Sequence, residues 1–90
     1  MRVRDLPGWP PQWSSVYSGT DKFATGEDGV LKKLRSSEQT GLLIFVIEYE
    51  GREHSGNLKL DKALTAKVIM VLTPEIGRPI KEIANMEIAP

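Results

Sequence analysis

The sequence predicts an α+β domain: a small curved antiparallel sheet of about four strands packed on one main helix, closed by a short C-terminal helical turn and strand. Three observations carry this. Leu42 to Ile47 is an unbroken run of six apolar residues rich in strand-favouring shapes. Glu50-Gly51 then separates two alternating stretches, as a hairpin turn does. Further on, Leu64, Val68, Val71 and Leu72 fall at i, i+4, i+7 and i+8, one face of a helix. Ninety residues make a single domain (1–90), because halves of that length bury too little surface to fold alone.

Residues 1–12 hold three prolines and Trp9, and proline restricts both itself and the residue before it, so this segment is expected to be extended. Trp13 to Ser18 alternates like a short strand, and 19–29, rich in Gly, Asp and Thr, reads as a loop. Val30 to Ser37 fits either period: Leu31 and Leu34 suit a helix stripe, whereas Val30, Lys32, Leu34 and Ser36 suit one strand face. A glycine before it and a turn-like stretch after it favour a strand. Leu42 is the start of a central strand covered on both sides, the first arm of a hairpin over 42–60.

A two-residue loop at Glu50-Gly51 fixes the hairpin pairing. Tyr49 then lies opposite Arg52, Ile47 opposite His54, Phe45 opposite Gly56 and Leu43 opposite Leu58. One face becomes apolar, with the Phe45 ring covering Gly56, and the other carries Glu53, Ser55, Asn57 and Lys59. A slip of one residue would turn every side chain to the wrong face. Asp61 is the N-cap of a helix over 61–73 whose far end, Val68 to Leu72, is apolar all round and expected to be buried more deeply than its start. Pro79 starts a helical turn with Ile80 and Ile83 facing inward, and Met86 and Ile88 alternate as a closing strand within 79–88.

Composition excludes more than it assigns. The chain has no cysteine, so disulfides, thiolate nucleophiles and cysteine metal sites are absent, and a reducing, cytoplasmic setting is expected. Met1 to Pro11 has no apolar run of the kind a signal peptide needs, and no stretch approaches the roughly twenty apolar residues of a membrane span. Twelve basic residues balance twelve acidic ones, which argues against nucleic acid as the partner. Phosphate loops, dinucleotide fingerprints and the serine-hydrolase turn are missing. No catalytic residue, cofactor or metal is assigned.

His54, the one histidine, faces the core side in this register and reads as a hydrogen-bonded structural residue. Trp9 and Trp13 bracket Pro10-Pro11, either as an adhesive aromatic patch or as a lid over one end of the core. Pro7 and Pro10 also match the loose spacing of a polyproline ligand. Lys32, Lys33 and Arg35 are the densest basic cluster. With Arg52 and Lys59 nearby they outline a phosphate-contacting face, opposed by Glu48, Glu50 and Glu53 on the same sheet. Asp21, Glu27 and Asp28 offer oxygen ligands in a loop, a pattern that solvated loops also show.

The ordered set Trp9-Pro10-Pro11-Gln12-Trp13, Gly29-Val30-Leu31, Glu48 to Leu58 and Ile76-Gly77-Arg78-Pro79-Ile80-Lys81-Glu82-Ile83 resembles a class of small uncharacterised bacterial proteins. The resemblance implies a single α+β domain with no assigned activity and supplies no catalytic residues. The functional expectation is a non-catalytic module that binds a protein partner, or a second copy of itself, through an open strand edge. Its candidate surface is Trp9, Trp13, Lys32, Lys33, Arg35 and Arg52. The runners-up are a nucleic-acid-binding domain using the basic strand and exposed aromatics, and a small enzyme or enzyme accessory subunit.

Overall fold

The computed structural model describes residues 1–13, 27–37 and 39–89. The fold is α+β: an antiparallel sheet of three eight-residue strands and one main helix. In chain order the elements are β1 (Gln12–Trp13), β2 (Val30–Ser37), β3 (Leu42–Tyr49), β4 (Arg52–Lys59), α1 (Lys62–Leu72) and α2 (Ile80–Ile83). The sheet order is β1-β4-β3-β2, with the two-residue β1 paired beside β4.

The β3–β4 hairpin has the pairing expected from its turn, from Leu42 opposite Lys59 to Tyr49 opposite Arg52. Glu50 and Gly51 both adopt positive φ, 50° and 78°, the combination whose twist matches the flanking strands. Leu43, Phe45, Ile47 and Leu58 are buried on one face, while Glu53, Ser55, Asn57 and Lys59 are exposed on the other. On that outer face Leu42 and Ile44 are half-buried and Val46 is buried, outside the main core cluster. Gly56 is covered differently from expectation. A Cβ there would come within 2.9 Å of the Pro11 carbonyl oxygen, so it is the N-terminal backbone that sits on this glycine.

The ambiguity of β2 has a physical cause. Leu31 pairs with Ile47, but Lys33 pairs with Val46, so Lys32 is an extra residue in a bulge. The bulge brings Leu31 and Leu34, three apart, to the same core-facing side. A helical spacing thus arises inside a strand, and the single face expected for Val30, Lys32, Leu34 and Ser36 is corrected to Leu31, Leu34 and Ser36.

Asp61 caps α1: its Oδ1 accepts from the Leu64 N–H at 2.8 Å. Asp61→Ala is expected to cost about 1 kcal/mol, read as a lower urea midpoint with an unchanged slope. Val68 and Leu72 are fully buried against the sheet, and Leu64, Ile69 and Val71 are partly so. The far end of the helix is buried more deeply than its start, where Lys62 and Ala63 are exposed, with Met70 the exception at 78% exposed. The helix there lies on the core by one face only. It continues through a 3-10 turn, Thr73–Glu75, into the segment leading to α2.

Two chain-end expectations change. Val3–Asp5 forms a 3-10 turn in place of extended chain, and it sends Val3 and Leu6 into the core. The Trp9–Pro10 peptide is cis. The closing strand reduces to one antiparallel bridge, Arg2 with Glu87. Around it the Val3 N–H donates to the Met86 carbonyl at 2.9 Å and the Ile88 N–H to the Met1 carbonyl at 2.7 Å. The turn at Val3 bends the N-terminal arm away before a longer ladder can form. The expected strand over 14–18 and loop residues 19–26 lie outside the described residues. Among the described residues no helix is long and apolar enough to cross a membrane.

Candidate functional site

The residues singled out from sequence do not form one surface. Trp9 serves the core. Its ring meets Phe45 edge-on with centroids 5.8 Å apart, and its indole N–H donates to Glu27 Oε1 at 2.8 Å. A half-buried indole with its polar atom occupied acts as a lid, so Trp9 is withdrawn from the exposed aromatic patch. The backbone of Trp13 pairs with Gly56, and its side chain lies outside what is described. Arg52 sits beside the hairpin turn, opposite Tyr49, at the far end of the sheet from Arg35. Lys32, on the bulge, lies 3.6 Å from Glu48. Only Lys33 and Arg35 remain together. Both are exposed on the outer face, opposite Val46 and Ile44, and neither forms an ion pair among the described residues.

His54 is half-buried opposite Ile47 and has an interaction of its own, in keeping with a structural residue. Of the loop acids, Glu27 holds Trp9 and Asp28 lies 3.4 Å from Lys81, while Asp21 is outside the described residues. Among the described residues no three His, Asp or Glu side chains gather as a metal site.

What sequence reasoning missed lies along the edge of β2. Its first half is covered. The Leu31 N–H donates to the Arg78 carbonyl at 3.0 Å, its carbonyl accepts from Gly77 at 2.7 Å, and Gly29 accepts from Ile80 at 2.9 Å. Arg78 is steadied by its own ion pairs, to Glu75 at 2.8 Å and Glu82 at 3.4 Å. The hydrogen bond it donates to the Glu75 carboxylate, with that to Glu82, holds its guanidinium above the usual arginine range.

The second half of β2 is open. In an antiparallel ladder, residues alternate between bonding one neighbour and facing away from it. Leu31 faces away from β3, and after the bulge the alternation turns the main-chain N–H and C=O of Leu34 and Ser36 the same way. No hydrogen bond from outside the sheet reaches either residue among the described residues.

Beside this open edge, between it and α1, runs a groove of about 280 Å³. Leu60, Ala66 and Ile69 give it an apolar side, Ser36 and Thr65 supply hydroxyls, and Lys62 stands at the N-terminal end of the helix. The groove joins the stretch from Ser36 to Leu42 to Leu60 and α1, 18 or more residues further on, so no local pattern announces it. Chemically, the arrangement can add a strand by backbone hydrogen bonding and accept a side chain beside it. No protein-family model matches the chain, and neither a curated protein nor a solved structure matches it, so the functional reading rests on this geometry.

Proposed function

We propose that this protein is a non-catalytic interaction module that receives an extended segment of a partner protein along the open half of β2. The observation that carries the reading is that among the described residues no main-chain bond from outside the sheet reaches Leu34 or Ser36, and that Ser36 lines a groove. Main-chain bonds to a docked strand give affinity without regard to sequence, and a neighbouring pocket discriminates among side chains. A bulge that ends the covered half and leaves the next residues free is a recurrent way of re-aiming an edge. The nucleic-acid reading has less support, since Glu48 and Glu53 share the outer face with Lys33 and Arg35. The absence of cysteine supports a cytoplasmic setting.

The test is selection from a displayed random-peptide library, then amide shift mapping with a selected peptide. Shifts are expected at 34–37 and 65–69, together with slower hydrogen exchange at the Leu34 and Ser36 amides. Ser36→Pro removes one outward N–H at a position where an edge strand tolerates proline. It should weaken binding about tenfold while the far-ultraviolet circular dichroism is retained. Selected peptides that shift a different surface would refute the reading.

A further inference from the structure

The charges along the open edge specify what kind of strand fits it. Lys33 and Arg35 project from the outer side, exposed and without an ion pair among the described residues, whereas neighbouring Lys32 is engaged by Glu48. On the other side of the same backbone lie Leu34 and Ser36, and beyond them the groove with its apolar Leu60, Ala66 and Ile69. The one ionisable side chain among the groove's lining residues is cationic, Lys62.

We propose that the β2 edge selects an extended partner segment with alternating side chains, carboxylates on the outer side and small branched apolar groups on the groove side. The inference rests on β2 as the docking edge and adds the chemistry of the occupant. A strand added to β2 lies about 4.8 Å away, with directly opposed Cβ atoms about 4.5–5.5 Å apart. Glutamates on its outer side therefore come within ion-pair reach of Lys33 and Arg35. Its period of two sends the intervening residues to the groove.

The same charges exclude a second copy of this chain from the edge. Two β2 strands paired antiparallel about a two-fold axis set Lys33 against Arg35 when Leu34 faces its own mate, or Arg35 against Arg35 when Leu34 faces Ser36, and like charges directly opposite destabilise a strand pair. Cations on an edge are a known protection against self-pairing. Among the described residues a single-stranded polynucleotide would find the cations but no ring to stack on. Trp9, Phe45 and Tyr49 all belong to the core-facing side of the sheet.

The experiment uses the full chain, ¹⁵N-labelled, at low salt. The probes are an eight-residue end-capped peptide alternating glutamate and valine, its lysine–valine counterpart, and an octathymidylate. The glutamate peptide is expected to shift the amides of 34–37, Ala66 and Ile69, to slow exchange at Leu34 and Ser36, and to bind at least tenfold tighter than the lysine peptide. A Lys33→Glu, Arg35→Glu double variant should reverse that preference. Equal binding of both peptides at 34–37 overturns the charge assignment and leaves the docking edge standing. No shift at 34–37 from either peptide overturns both readings. Tighter binding of the octathymidylate on the same amides overturns the proposal in favour of a polynucleotide partner.

Discussion

Phe45→Ala is expected to remove about 3–5 kcal/mol of stability, the range for deleting a buried aromatic ring. Among the described residues Phe45 is the largest fully buried side chain. It sits mid-way along the central strand, between Leu34 on β2 and Gly56 on β4. Its ring also supports Trp9, whose indole is tied to Glu27, so truncation undermines the N-terminal lid as well as the sheet. The space left cannot close cheaply, because Gly56 opposite has no side chain to move in and the Pro11 backbone already lies against it. A domain of this size has a total stability of roughly 5–13 kcal/mol, so the variant should lose about a quarter or more of it. Urea denaturation followed by tryptophan fluorescence checks this. A loss below about 1 kcal/mol would mean that the core is not centred on this ring.

Gly29→Ala should be nearly as damaging, at about 2–4 kcal/mol, through a different mechanism. A Cβ at this position would lie 2.3 Å from Ile47 Cγ2 and 2.6 Å from the Glu48 carbonyl oxygen. The isoleucine methyl can rotate, but the carbonyl belongs to the central strand and cannot. The start of β2 must therefore lift off β3. Because the Gly29 carbonyl accepts the Ile80 N–H, the lift also loosens the 77–80 segment along the covered edge. Faster hydrogen exchange at Leu31 and Ile80, with that of the β3–β4 hairpin unchanged, is the signature that separates this local failure from general destabilisation. A variant as stable as the parent would show that the approach of Gly29 to β3 is looser than it stands here.

Legibility in the sequence followed locality. The hairpin could be read residue by residue, because Glu50-Gly51 fixes its own turn and the alternation on each arm then admits one register. The helix was legible from Asp61 and the spacing of Leu64, Val68 and Leu72. Strand β2 was not, since the extra residue at Lys32 breaks the period of two. The ends were misjudged because the Val3 turn and the Arg2–Glu87 bridge join residues 85 apart, which no window of the sequence compares. The site suffered from the same cause. The cluster Lys32, Lys33 and Arg35, with Arg52 and Lys59 on a neighbouring strand, suggested a face, but the fold sends Arg52 to the hairpin end and gives Lys32 to Glu48. The prolines around Trp9 left a patch and a lid both open, and the position of Phe45 decides for the lid. An open edge is a property of what fails to pair, and composition is silent about that.

The 77–80 segment that occupies the first half of β2 has a consequence for how a guest strand is read. A bare edge of uniform backbone offers equivalent berths two residues apart, and a visitor can slide between them. Here the bond from the Gly77 N–H to the Leu31 carbonyl and that from the Leu31 N–H to the Arg78 carbonyl wall off one end. The wall serves as an end-stop, so the berth begins after the bulge, is only a few residues long, and imposes a fixed reading frame on whatever enters it.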